Sequence, residues 1–145
     1  MQLLINIDVD DLDRAIAFYT AAFELQISRR FGADSVELTG GTAPIFLLMK
    51  PAGTCEAPDS AQQRTYDRHW TPVHLDVVVA DIESSLTRAL NAGATLERPI
   101  RSSNWGKLAL MADPFGNGFC LVQFVGRGYD EIAMASSPDA TSTGI

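Results

Sequence analysis

The chain has 145 residues, 46% of them hydrophobic and 20% charged, which is the composition of a folded domain with its own core. No apolar run reaches the roughly 18 residues of a membrane-spanning helix, so we expect no membrane span. A net charge of −7 argues against nucleic-acid binding, because phosphate recognition needs a concentrated basic surface. The N-terminus lacks signal-peptide features and the two cysteines lack metal-knuckle spacing, so we expect a cytoplasmic protein.

The first predicted elements are a strand and an amphipathic helix. Residues 3–9 alternate apolar and polar side chains, with Ile5, Ile7 and Val9 on one face. Asp11 can accept the first free amides of the helix that follows. That helix carries one apolar stripe at intervals of three or four residues: Leu12, Ala15, Ile16, Tyr19 and Phe23. We expect Phe18, Tyr19 and Phe23 to pack between helix and sheet.

Three short strand-like segments follow, at residues 25–31, 35–39 and 44–49, so residues 1–50 read as one β-α-β-β-β module. Residues 51–71 contain Pro51, Gly53 and Pro58 and show little periodicity, which indicates a linker over the surface.

The second half repeats the first at an offset of 70 residues, from Ile5 to Leu75. Val73, Leu75, Val77 and Val79 share one face of the new strand, and Asp81 is a candidate N-cap. The helix stripe comprises Ile82, Leu86, Ala89 and Leu90, and Gly93 is suited to end the helix.

Strands are predicted at residues 95–100, 107–111 and 118–125, with the residues of 113–118, among them Asp113, Pro114, Gly116 and Asn117, serving as turn formers. The second module therefore spans residues 72–126, and residues 127–145 are expected to be a flexible C-terminal tail.

This tandem β-α-β-β-β pattern resembles the vicinal-oxygen-chelate superfamily, which includes glyoxalases, bleomycin-resistance proteins and extradiol dioxygenases. Two local signatures add to the resemblance. One is the run Val-Asp-Asp-Leu-Asp-Arg-Ala-Ile-Ala-Phe-Tyr at residues 9–19. The other is the closing hairpin, in which Trp-Gly at 105–106 is followed by Asp-Pro-Phe-Gly-Asn at 113–117 and Cys-Leu-Val at 120–122.

The resemblance implies an α+β fold in which the two modules form a curved mixed sheet, shaped as a cup, with the helices outside. By strand alternation, the positions opposite the helices should line this cup. In the first strands these are Leu4, Asn6, Asp8, His74, Asp76 and Val78, and in the closing strand they are Cys120 and Val122.

Metal-dependent members of the superfamily carry one ligand on the first strand and one carboxylate on the last strand of each module. The corresponding positions here are Leu4, a residue among 46–48, His74 and Cys120, and only His74 matches. We therefore expect no metal and no other cofactor. The alternative is a divalent metal held by His74 with Asp76, Asp8 or Cys120, which would make the chain a metal-dependent lyase or dioxygenase.

The leading hypothesis is a binder of a small antibiotic or metabolite, aromatic or cationic, with catalysis left open. Its aromatic residues could supply stacking surfaces and its acidic balance would suit a cation. The candidate ligand-binding residues are Asn6, Asp8, Phe46, Trp70, His74, Asp76, Trp105 and Cys120. The resemblance also implies a homodimer. A third reading is an accessory domain that recognises a protein partner.

Overall fold

The computed structural model describes residues 1–57 and 60–134, and within them each half of the chain forms the predicted β-α-β-β-β module. The elements of the first module are β1 (Ile5–Val9), α1 (Leu12–Phe23), β2 (Gln26–Phe31), β3 (Ser35–Thr39) and β4 (Ile45–Met49). The elements of the second are β5 (Leu75–Val78), α2 (Ile82–Ala92), β6 (Thr95–Ser102), β7 (Gly106–Ala112) and β8 (Gly118–Phe124).

Both helices begin and end as the sequence predicts. The Asp11 carboxylate accepts a hydrogen bond from the Arg14 amide at 2.9 Å, and Asp81 does the same for the Ser84 amide at 3.0 Å. Gly93 ends α2 with a φ of 113°, a left-handed conformation that favours glycine. The two aspartate N-caps therefore set the residue at which each helix begins after the first strand of its module.

The α+β class and the two modules are confirmed, with strand orders β1-β4-β3-β2 and β5-β8-β7-β6. The outer pairs β1–β4 and β5–β8 are parallel, and the others are antiparallel. The described residues form two four-stranded sheets rather than one hydrogen-bonded cup, because β1 and β5 do not pair with each other. Two edge strands therefore remain at the junction of the modules.

The core lies between the sheets and the helices. Apolar side chains from one face of each sheet pack with α1 and α2, including Val9, Val36, Leu38, Leu47, Phe18, Tyr19, Ile82, Ala89, Met111 and Leu121. The opposite face of each sheet, here called the open face, carries Asn6 and Asp8 in the first module and Asp76 and Cys120 in the second.

Three predicted positions differ from the structure. Val73 was expected on the buried face of a strand, but β5 begins only at Leu75 and Val73 is exposed. Leu4 likewise precedes β1 and is exposed, so it does not line an open face as a strand residue. Leu90 was assigned to the buried stripe of α2, yet it is exposed, since Ser85 instead occupies the buried side of that helix.

The linker and the beginning of the tail both fold back onto the modules. Residues 62–73, here called the strap, comprise the end of the predicted linker and the first two residues of the predicted second module; they contain no helix or strand and lie across the junction of the modules. Gly128–Glu131 forms a 3-10 turn, while residues 135–145 of the predicted tail lie outside the described residues. No helix among the described residues is long and apolar enough to span a membrane.

Candidate functional site

A cavity of about 820 Å³ lies where the two modules meet, bordered by β1, the start of β5, α1 and the strap. This volume falls in the range of drug-sized ligand sites. Six aromatic residues line it: Tyr19, Phe23, Tyr66, Trp70, Phe115 and Phe119. The wall combines open-face residues such as Asn6 with core-side residues such as Phe23, so the cavity reaches through the junction towards α1.

An aromatic cluster forms the inner end of the cavity. The ring centroids of Phe23 and Phe119 are 5.2 Å apart, and those of Tyr19 and Phe23 are 5.5 Å apart. Both pairs are edge-to-face, a favourable arrangement of two π systems. The side chains of α1 and β8 thus form an apolar wall of the cavity.

Arginine–carboxylate pairs attach the strap to both modules. Arg64 Nε donates to Asp8 Oδ2 at 2.6 Å in the first module. Arg68 donates to both oxygens of Glu97, at 2.5 and 3.0 Å, in the second. Bidentate pairs of this kind have strongly constrained geometry. Between them the Tyr66 hydroxyl donates to the Lys50 carbonyl oxygen at 2.6 Å.

The strap also contacts the turn before β8 through its backbone. The His69 amide donates to the Gly116 carbonyl oxygen at 3.1 Å, and His69 Nε2 lies 3.0 Å from Asn117 Oδ1. A Cβ at Gly116 would stand only 2.0 Å from the Asp67 carbonyl oxygen. Glycine is therefore required at this position for the strap to approach so closely.

Asp113 is a buried carboxylate whose four acceptor positions are all used. Its Oδ1 accepts the amides of Phe115 and Asn117, and its Oδ2 accepts Asn117 Nδ2 and the Tyr19 hydroxyl, the last at 2.5 Å. Burial, with the neighbouring Asp113 charge, raises the pKa of Tyr19 well above its ordinary value. Tyr19 therefore stays protonated and links α1 to the turn that supports the strap.

His74, Asp76 and Cys120 form a cluster beside the cavity. Asp76 and Cys120 are partners on the parallel strands β5 and β8, and His74 Nε2 lies 3.2 Å from Asp76 Oδ1. The donor atoms of the three residues all lie within 4.8 Å of one another. Burial, and then the Asp76 charge, raises the pKa of the Cys120 thiol to about 11. The thiol is accordingly protonated at neutral pH and is a poor nucleophile.

The structure brings most of the predicted ligand-binding residues together. Asn6, Asp8, Trp70 and His74 line the cavity. Asp76 and Cys120 do not line it but adjoin it through His74. Asp113 and Asn117, expected only as turn formers, do form the turn and also line the cavity.

Two predicted residues lie elsewhere. Phe46 is on the open face of the first sheet, where its ring centroid is 6.0 Å from that of Phe31. Trp105 packs against Tyr129 at 4.9 Å and Phe124 at 6.3 Å, at the far end of the second module. Neither side chain lines the cavity.

The open face of the first sheet also holds a charged pair that the sequence did not single out. Arg29 donates to both carboxylate oxygens of Glu37, at 2.6 and 2.7 Å, and Glu37 is buried. The hydrogen bond from Arg29 is the main cause that lowers the pKa of Glu37. Tyr19, Arg64 and Arg68 were also not predicted to contribute to the site. The apolar stripe of a helix and the composition of a linker carry no signal for a cavity wall.

Comparison with known proteins places this architecture in a family. The sequence profile of the glyoxalase-like domain matches residues 4–122. Protein Mb0911c of Mycobacterium bovis is 33% identical over 134 residues, covering 89% of this chain and 88% of that protein.

Two solved structures share the fold at low sequence identity. The fosfomycin resistance protein FosX from Listeria monocytogenes is 17% identical with a TM-score of 0.65, covering 86% of this chain and 93% of that one. Lactoylglutathione lyase from Agrobacterium tumefaciens is 20% identical with a TM-score of 0.58, covering 85% and 92%. With the paired modules and the profile match over nearly all the described residues, the chain belongs to the glyoxalase-like domain family of the vicinal-oxygen-chelate superfamily.

Proposed function

We propose that this protein binds a small molecule, an antibiotic or a metabolite, in the cavity at the junction of its modules. The observation that carries the proposal is the cavity of about 820 Å³ in which aromatic side chains and the Asn6 amide converge under the strap. Apolar walls with a few placed polar groups are typical of ligand sites. This function requires no reaction at the site.

A blocking substitution tests the proposal. Asn6 is exposed on β1 and lines the cavity, so Asn6→Trp should fill the space without disturbing the core. Gln26→Trp is the matched control, since Gln26 is exposed on β2 and lies outside the cavity lining. Ligand-observed NMR with a fragment library should show saturable binding to the wild type and to Gln26→Trp, and none to Asn6→Trp. Equal binding by both variants, or none by the wild type, would contradict the proposal.

The second candidate is a metal-dependent lyase or dioxygenase built on the cluster of His74, Asp76 and Cys120. One imidazole, one carboxylate and one thiol are ligand types that zinc accepts, and three such ligands leave a position for substrate. A bound divalent ion would polarise a substrate oxygen. This candidate ranks second because one of its three ligands is a cysteine at a position where metal-dependent relatives carry a carboxylate, and because ligation by Cys120 would release the thiol proton.

Metal analysis separates the two candidates. Protein purified without chelators should contain no stoichiometric divalent ion if the protein is a metal-free binder. Cobalt titration gives a second readout, since ligation by Cys120 would produce thiolate-to-cobalt absorption that Cys120→Ser removes. Cys55→Ser is the control, because Cys55 is exposed, lies outside every strand and does not belong to the cluster. A stoichiometric ion together with Cys120-dependent absorption would reverse the ranking.

The homodimer implied by the family resemblance stays a prediction, as does the cytoplasmic location. Light scattering on the purified chain would test the dimer, whose expected mass is twice the 15.7 kDa of one chain.

A further inference from the structure

The cavity offers no carboxylate that lacks a partner, and this bears on the kind of ligand it can hold. Its lining contains two acidic residues among those described, Asp8 and Asp113. Asp8 is paired with Arg64 at 2.6 Å. Asp113 accepts four hydrogen bonds from protein donors, so its charge is already stabilised. A cationic ligand would have to share the Asp8 carboxylate with the Arg64 guanidinium.

The cationic groups of the lining are equally engaged. Besides Asp8, Arg64 contacts Glu56 at 3.3 Å and donates to the Thr54 hydroxyl at 3.0 Å. An anionic ligand therefore gains no unpaired guanidinium from the lining. The net charge of −7 for the whole chain does not describe this cavity, because Asp8 is paired with Arg64 and the Asp113 carboxylate is held by four neutral donors.

Three neutral amides of the described lining remain available. The side chains of Asn6, Gln62 and Gln63 line the cavity and have no hydrogen-bond partner among the described residues. A carboxamide offers both a donor and an acceptor, so it pairs best with a ligand edge that carries both. Asn6 stands on β1 as the counterpart of Asp76 under the 70-residue offset, yet only Asp76 is engaged, with His74.

We infer that the ligand is an uncharged, planar heteroaromatic molecule with a lactam-like edge. Its ring would lie against Phe23 and Phe119, and its N–H and C=O groups would pair with the Asn6 amide. The aromatic cluster supplies the apolar surface, and the ionic groups of the lining already have protein partners, which disfavours ions of either sign. This inference rests on the proposed function and specifies the ligand class for the same cavity, replacing the cation that composition alone suggested.

Three probes of almost the same size test the inference. Isoquinolin-1(2H)-one is neutral and carries the lactam edge, its N-methyl derivative lacks the donor, and N-methylisoquinolinium is a cation. Binding to the full chain would be measured by titration of amide resonances at low and high salt. We expect the lactam to bind roughly two- to tenfold more tightly than its N-methyl derivative, the effect of one neutral hydrogen bond. We expect the cation to bind weakest of the three.

Two variants separate the roles of the amide and the ring surface. Asn6→Leu keeps the size of the side chain and should bring the lactam and its N-methyl derivative to equal affinity. Phe23→Leu should weaken both neutral probes together. Gln26→Leu, exposed and outside the cavity, should change neither.

The outcomes distinguish the inference from the proposed function. Tightest binding by the cation, with an affinity that falls as salt is added, would overturn the ligand class and leave the binding function standing. If none of the three probes binds, while other library fragments bind the wild type and not Asn6→Trp, the ligand class is likewise overturned and the binding function stands. If no fragment binds the cavity at all, both the inference and the proposed function fail.

Discussion

Replacing Gly116 by alanine tests whether close backbone contact holds the strap over the cavity. The new Cβ would stand 2.0 Å from the Asp67 carbonyl oxygen and 2.9 Å from His69 Nδ1, so the strap must move. Moving it breaks three hydrogen bonds: the His69 amide and Arg68 Nη1 to the Gly116 carbonyl oxygen, and the His69 ring to Asn117.

The free-energy cost has two parts. The left-handed φ of +86° at Gly116 costs a non-glycine residue about 1–2 kcal/mol. The three lost hydrogen bonds are partly exposed and contribute about 0.5 kcal/mol each, the low end of the usual range. We therefore expect Gly116→Ala to lower the free energy of unfolding by about 2–4 kcal/mol.

Gly32→Ala is the matched control. Gly32 also has a left-handed φ, +63°, but a Cβ there would meet nothing within 4 Å. This variant should lose only the conformational part, about 1–2 kcal/mol.

Urea unfolding measures the stabilities of the two variants, and limited trypsin digestion reports the strap, since Arg64 and Arg68 are cleavage sites within it. Under native conditions, Gly116→Ala should be cut in the strap faster than Gly32→Ala. If the two variants lose the same stability and resist trypsin equally, the contact with Gly116 does not hold the strap.

Three further predictions follow from single groups. Tyr19→Phe should lower the free energy of unfolding by about 1–3 kcal/mol in thermal or urea unfolding, because it removes one of four donors to the buried Asp113 carboxylate. In native protein at pH 8, a disulfide reagent should modify exposed Cys55 quickly and Cys120 slowly, since a pKa of about 11 leaves roughly one thiol in a thousand ionised; Cys55→Ser should abolish the fast phase. The pKa of Glu37 is lowered on folding, so ionised Glu37 stabilises the protein above its unfolded pKa of about 4.3, and this effect is lost as the pH falls through the folded pKa. The difference in the free energy of unfolding between wild type and Glu37→Gln should therefore vanish in acid. A difference that does not change with pH would refute this.

The sequence predicted the modules well because their signals are local. Strand alternation and the Asp11 and Asp81 caps each depend on residues a few positions apart. Because the module is repeated, each of these patterns occurs twice in the chain. The failures at Val73 and Leu90 occurred at element ends and on a helix side, where packing decides exposure. Local patterns therefore predicted the strands and helices, but not the exposure of residues at their ends and edges.

Strand alternation and the family resemblance predicted Asn6, Asp8 and His74 in the cavity, but the contacts that build its other walls could not be predicted, because they join distant positions. The ion pair of Arg64 with Asp8 spans 56 residues, and the hydrogen bond of Tyr19 with Asp113 spans 94. Neither strap composition nor helix periodicity encodes such partners. Glu37 illustrates the same limit. Strand alternation places its side chain on the sheet face opposite to that of Val36 and Leu38, but it does not reveal that Glu37 is buried and paired with the Arg29 guanidinium.

Sequence differences between the two modules bear on how the proposed ligand would be oriented. At the first strands, Ile5, Ile7 and Val9 correspond to the apolar residues Leu75, Val77 and Val79, whereas Asn6 corresponds to Asp76 and Asp8 corresponds to Val78. Two identical walls would accept a ligand in two equivalent orientations. Here one wall presents a free amide at Asn6, and the other presents an imidazole of His74 already bonded to Asp76. The proposed ligand, with one polar edge, would gain its hydrogen bonds at the first wall only, so we expect the differences between the two modules to give it a single binding direction.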